Sequence, residues 1–252
     1  MQSLHKSRVW PGLGAAALAL AALTACGGEP SGAVPGHPAA HVSGGAHDES
    51  ARGLQMQALP VEKRLALLSG HVAAGLALYR AGVADEAAVH LSHPASEAHA
   101  DEVAGFEALG FRPELFRQIL DELEAGKPAV EIESLLAEAE AHLADLRRAA
   151  GGDPKVLIEF LMKTLAEAYD AGVDNSVIVD LGDYQDAYGL AVAAREMAGT
   201  QDPAVFGSLK LELDVLVLMW PGRGPISTSL PPPEFQMVEQ LARVKLALAS
   251  LP

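Results

Sequence analysis

The chain has 252 residues, of which 50% are hydrophobic, 5% aromatic and 20% charged, with 33 acidic against 18 basic side chains and a single cysteine. This composition excludes an intrinsically disordered chain, a disulfide framework and a protein held to nucleic acid by net charge, because the formal charge is −15. The mean hydropathy of +0.17 is mildly membrane-like, but much of it comes from one short segment near the N-terminus and from alanine.

That segment is the first element in chain order. Residues 1–8 carry Lys6 and Arg8, and the chain is then apolar or small from Val9 to Ala25. A charged n-region followed by a short h-region is the pattern of a signal peptide, and the run is short for a spanning helix of about 20 apolar residues. It ends in Leu23-Thr24-Ala25-Cys26, which resembles a bacterial lipobox. The resemblance implies cleavage before Cys26, acylation of that cysteine and a mature chain of 227 residues with a formal charge of −17. Several acyl chains anchor a protein effectively for good, so no other segment needs to enter a bilayer. Gly27 in place of an aspartate implies, by the same resemblance, an outer-membrane lipoprotein facing the periplasm. Once acylated, Cys26 offers no thiol for catalysis or metal binding.

From Cys26 to Leu59 the composition turns to Gly, Pro, Ser, Ala and His without apolar periodicity, as expected of a flexible tether. It holds His37, His41 and His47 beside Asp48 and Glu49. Such a tract is either a polar spacer or a loose metal binder.

Residues 60–252 read as a single all-α domain, an antiparallel bundle of about eight helices. Leu65, Leu68, Val72, Leu76 and Tyr79 predict a helix over Val61 to Ala81, stopped by Gly82. A short helix from about Asp85 to Leu91 follows, then one from Pro94 to Leu109 with Ser92 or His93 near its cap. Pro113 opens a helix to Ala125, and Pro128 opens another reaching Arg148. Asp153-Pro154 starts the helix expected to be most buried, since Leu157, Ile158, Phe160, Leu161 and Leu165 cover most of its circumference. Helices over Ser176 to Ala198 and Pro203 to Trp220 come next. Leu209 to Val215 alternates like a strand, but Phe206, Leu209, Leu213, Leu216 and Trp220 follow helical spacing and no partner strand is evident. After the prolines at 231–233, a last amphipathic helix carries Phe235, Val238, Leu241, Val244 and Leu248.

The chemistry-bearing cluster is His71, His90, His93, Glu97, His99, Asp101 and Glu102. If the hairpin folds about Val83, His71 and His93 stand at similar heights, His90 lies one turn from His93, and Glu86 is i, i+4 from His90. Imidazoles with a carboxylate suit a transition metal, whether iron, zinc or copper, and the candidate ligands are His71, His90, His93 and Glu97. The bland alternative has His93 capping a helix, His99 solvated and His71 satisfied in the core. A second acidic group, Asp180, Asp183 and Asp186, falls at i, i+3 spacing and reads as the solvated face of a helix. Glu138, His142 and Asp145 read as surface ion pairing. There is no H-E-x-x-H, G-x-S-x-G or Walker loop, so no catalytic residue is assigned and the chain does not read as an enzyme.

Two resemblances bear on function. Gly75-x2-Leu78-Tyr79-x2-Gly82 with Glu86-Ala87 and Leu91 resembles one tetratricopeptide hairpin, with no second copy near a period of 34. A lipid-anchored helical domain with Gly70-His71 early in a helix is similar in outline to the imelysin-like proteins of bacterial envelopes. Those proteins are associated with iron uptake and carry a Gly-x-His-x-x-Glu motif. Here Ala74 stands at the glutamate position and Ser69-Gly70-His71 changes the glycine spacing, so only His71 carries over as a candidate. The resemblance implies a metal-binding or metal-uptake accessory lipoprotein. The alternatives are a non-catalytic helical scaffold that binds another envelope protein, and a carrier for an apolar ligand.

Overall fold

A computed structural model describes residues 58–252 except 97–98 and 223. The expected signal peptide, the expected acylation site Cys26, the three histidines of the expected tether and the candidate ligand Glu97 lie outside the described residues.

The all-α expectation holds. The helices are α1 (Val61–Arg80), α2 (Ala84–Leu91), the single turn α3 (Ala100–Val103), α4 (Pro113–Glu124), α5 (Glu133–Ala150), α6 (Pro154–Gly172), α7 (Leu181–Gly199), α8 (Pro203–Leu218) and α9 (Glu234–Ala249). The Asp-Pro starts of α6 and α8 form as expected: Asp153 accepts from the Lys155 N–H and Asp202 from the Ala204 N–H, both at 2.9 Å. Each satisfies an amide that a helix start leaves without an intrahelical partner. Leu209 to Val215 is helical, as its spacing indicates.

Three boundaries differ from the sequence expectation. No helix runs from Pro94 to Leu109. Instead, Ser92 caps the C-terminus of α2, its carbonyl accepts from the Ala95 and Ser96 amides, and Gly105 takes a φ of 82° between α3 and a 3-10 turn at Phe106–Leu109. A residue with a β-carbon is strained at that φ, so Gly105 breaks what Pro94 was expected to open. Pro128 opens only a 3-10 turn, Ala129–Glu131, and α5 starts at Glu133. The chain after α6 does not return directly to helix at Ser176: β1 (Val173–Asp174) and β2 (Val177–Ile178) pair antiparallel, with Asn175 and Ser176 at positive φ between them. Asp180 then caps α7 through the Asp183 amide.

The core has two parts separated by α1. On one side α1 packs with α2, α4 and α5 around Leu65, Leu68, Leu76, Phe106, Phe116 and Ile119. On the other, Ala66 and Leu67 join α6, α7, α8 and α9 around Ile158, Leu161, Tyr184 and Leu213. Each fully buried side chain of this size stabilises by about 1.5–3 kcal/mol relative to exposure.

α1 and α7 are the most buried elements, not α6. Twelve residues of α1 and eleven of α7 are buried, against seven of α6. α6 keeps a charged face at Glu159, Lys163 and Glu167, and Phe160 is half-buried beneath Lys63, whose Nζ lies 4.9 Å from the ring centroid. α7 instead buries small residues, including Ala187, Ala191, Ala193 and Ala194, which apolar size does not flag. The register of α9 also departs from expectation: Met237, Gln240, Val244 and Leu248 face inward, leaving Phe235 and Val238 exposed.

Candidate metal centre

Small residues bring α1 and α7 together. A β-carbon on Gly189 would fall 2.0 Å from the Gly70 carbonyl oxygen, and one on Gly70 would fall 2.8 Å from Leu190 Cδ2. Only glycine fits such a crossing. It places the start of α7 against the middle of α1 and the end of α2.

At that junction stand His71 of α1, His90 of α2 and Asp186 of α7. His71 Nδ1 is 2.7 Å from Asp186 Oδ1, and His90 Nδ1 is 3.1 Å from the same oxygen. One donor atom from each of the three lies within 4.8 Å of the others. Burial works to raise the Asp186 pKa, but His71 and His90 together outweigh it and hold the carboxyl far below its usual range. The group is therefore an anion ready to act as a ligand.

A chain of hydrogen bonds behind His90 sets its tautomer. The Gln185 amide nitrogen donates to Glu86 Oε2 at 2.5 Å and to the Pro225 carbonyl at 3.2 Å. Both are acceptors, so the amide cannot be flipped, and its Oε1 faces His90 Nε2 at 2.8 Å. Nε2 must then carry the hydrogen. In a neutral ring Nδ1 would be a lone pair facing the Asp186 carboxylate oxygen 3.1 Å away, whereas in a charged ring it would donate to that oxygen. Two electron-rich atoms at that separation repel unless a proton or a metal cation lies between them. His90 is 2% exposed, so water offers little screening.

Outward from the triad the imidazoles stack. The His71 and His93 ring centroids are 4.1 Å apart with planes 11° from parallel, and His93 and His99 are 3.9 Å apart at 21°. His71 and His90 are farther apart, at 6.4 Å and 20°.

The sequence cluster is thus partly rearranged. His71, His90 and His93 come together, whereas His93 belongs to a turn and does not cap a helix. Glu86 faces the site only through Gln185, and it also accepts from the Ser227 amide at 3.2 Å and from the Ser227 hydroxyl. The correction concerns Asp186, which lies against two histidines and not on a solvated helix face; its neighbour Asp180 is a cap. Asp186 is 115 residues from His71 in the chain, and its spacing to Asp183 pointed elsewhere. The signal that could have found it is Gln185-Asp186, two polar residues in a helix otherwise rich in small apolar ones.

The chain matches no protein family, no curated protein and no solved structure. Its function must therefore be argued from the site.

Two histidines and one carboxylate form a mixed N/O donor set suited to zinc, iron(II) or copper(II). Bonds of about 2.0–2.2 Å to one ion place donors up to about 4.2 Å apart, so the observed separations need only small side-chain adjustments. Gln185 and Glu86 would orient His90 from behind, as partners of metal-ligating histidines do.

Proposed function

We propose that this chain is a transition-metal-binding protein of the bacterial cell envelope, with His71, His90 and Asp186 as ligands and His93 beside them. The observation that carries this reading is the convergence of His71, His90 and Asp186, one donor atom of each within 4.8 Å of the others, with His90 Nδ1 buried beside the Asp186 carboxylate. A bound cation would bridge these atoms. The lipobox resemblance at Cys26 supports an anchored, periplasm-facing accessory protein that binds or passes on a metal, and the strong acidity of the chain favours cations as partners.

The test is a titration of the full chain with zinc(II) and with cobalt(II), whose visible spectrum reports its ligands. The tether histidines at positions 37, 41 and 47 can contribute weaker sites, so stoichiometry is compared between the wild type and a His71→Ala/His90→Ala variant. Loss of one tight equivalent is expected. An unchanged number of tight sites would overturn the reading. Metabolic labelling with a fatty acid, abolished by Cys26→Ser, tests the anchor separately.

A second reading is an adaptor that docks another envelope protein. It draws on apolar side chains left outside the core on α8 and α9, including Leu211, Leu218, Phe235, Val238 and Leu246, each more than 60% exposed. Apolar side chains exposed in such numbers mark an interaction site where they adjoin. The two readings are compatible, since a metal carrier has to meet its recipient.

A further inference from the structure

α5 and α7 both pack against α1 but scarcely against each other. The gap between them is a cleft of about 200 Å³, lying on another face of α1 and α7 from the histidine cluster. Its floor is Val72, Ala73 and Leu76 of α1, and Leu143 and Val192 form the apolar parts of its walls.

Charge in the cleft is arranged in an unusual way for so acidic a chain. Three arginines line it, Arg80, Arg147 and Arg195, against two carboxylates, Glu140 and Glu196. Arg80 is fully engaged, bonded to both Glu133 and Glu140 at 2.6 Å. Arg147 reaches across from α5 to Ser69 Oγ at 2.7 Å and to Glu196 at 3.3 Å. That pair is incompletely compensated: burial lowers the Arg147 pKa and raises that of Glu196 in spite of their mutual attraction. Arg195 makes no hydrogen bond or ion pair with any described residue, although it is half-buried and lines the cleft. The Tyr188 hydroxyl, on the same face of α7, likewise has no hydrogen bond to a described residue.

We propose that this cleft binds a small monocarboxylate with an apolar body of about benzoate size, its carboxylate held by Arg195 and Tyr188 and its body laid on Ala73, Ala77 and Val192. A guanidinium fork matches a carboxylate in shape and charge, and the hydroxyl supplies a further donor. The size follows from the volume: an apolar cavity of about 150 Å³ accepts a benzene ring. The single charge follows from the local placement of groups, because the Arg195 guanidinium carries no hydrogen bond to a described residue while Glu140 and Glu196 repel a second negative charge. Dianions such as phosphate fit poorly, and a neutral molecule leaves Arg195 unmatched.

The experiment titrates benzoate, benzamide and inorganic phosphate into the full chain at pH 7, followed by calorimetry or ligand-observed NMR. Benzoate is expected to bind with a Kd of about 1 mM, in line with the efficiency of small ligands. Benzamide, which has the same shape without the charge, should bind at least about tenfold more weakly, as should benzoate to Arg195→Gln. Equal binding of benzoate and benzamide to the wild type would overturn the proposal without recourse to any variant. So would displacement of benzoate by an equimolar amount of phosphate, or undiminished benzoate binding by an Arg195→Gln protein whose thermal midpoint is unchanged.

Discussion

Gly189 of α7 crosses Gly70 of α1 so closely that a single β-carbon on Gly189 would lie 2.0 Å from the Gly70 carbonyl oxygen. Backbone cannot move aside as a flexible side chain can. Gly189→Ala is therefore expected to force the helices apart and destabilise the fold by about 2–4 kcal/mol, more than an ordinary core overpacking. The separation also draws Asp186 away from His71, so the variant should lose metal affinity together with stability. Denaturant unfolding and cobalt titration read the two effects. Gly207, which has open space around its α-carbon, is the control, and Gly207→Ala should be neutral or mildly stabilising.

His90 tests the hydrogen-bond chain directly. Its neutral ring should be the Nε2–H tautomer, visible in long-range ¹H–¹⁵N correlations at pH 8 in the absence of metal. Gln185→Leu removes the acceptor that fixes this tautomer while leaving both histidines and Asp186 in place. Metal affinity is expected to fall by about 10- to 100-fold, the usual cost of losing an orienting partner. A Gln185→Leu protein with wild-type affinity would show that the tautomer is irrelevant to binding.

His142 predicts a pH dependence away from the candidate metal site. Its Nε2 accepts the Arg112 N–H at 3.0 Å, which requires the neutral ring, and burial followed by the Arg112 charge lowers its pKa below the ordinary 6.5. The unfolded chain takes up this proton near pH 6.5 while the folded chain still resists it. Stability from this group is therefore complete above pH 6.5 and declines as the pH falls through that value toward the lower folded one. His142→Gln, whose amide oxygen can accept the same N–H, should flatten the dependence of the denaturation midpoint on pH between 7.5 and 5. A slope identical to wild type would rule out this assignment.

Much of the architecture is legible in the sequence because it depends on local rules. Asp153-Pro154 and Asp202-Pro203 announce their helices, and the stripe of Leu65, Leu68, Val72 and Leu76 gives the inner face of α1. What is not legible depends on contacts across the chain or on small residues. Gly70 and Gly189 contribute no apolar signal, yet they set the distance between the two central helices. The pairing of His71 with Asp186 follows from that distance, so the two histidines of the candidate site are visible locally and its carboxylate is not. The i, i+3 run of Asp180, Asp183 and Asp186 resembles one exposed ridge, but a cap takes its first member and two histidines take its last. The inward face of α9 escapes the sequence pattern for a related reason: Phe235 and Val238 have helical spacing with Leu241 but are exposed, whereas Gln240 is buried with Met237 and Val244, donating to the Glu212 carbonyl and carboxylate.

Two tyrosines in the same aromatic cluster predict effects of opposite sign. Tyr169 and Tyr184 have ring centroids 6.5 Å apart and both lie against Trp220. The Tyr169 hydroxyl donates to the Pro232 carbonyl, tying α6 to the proline-rich loop before α9. The Tyr184 side chain is fully buried and its hydroxyl has no partner among the described residues; burial pushes its pKa up to about 12. Removing a satisfied hydroxyl loses a hydrogen bond and strands an acceptor, whereas removing an unsatisfied one relieves a desolvation cost. Tyr169→Phe is accordingly expected to destabilise by about 1–2 kcal/mol and Tyr184→Phe to stabilise by about 1 kcal/mol. Because neither substitution changes ring packing, urea midpoints at constant m-value report the hydroxyl alone. Equal effects of the two variants would mean that the Tyr184 hydroxyl also has a partner in solution.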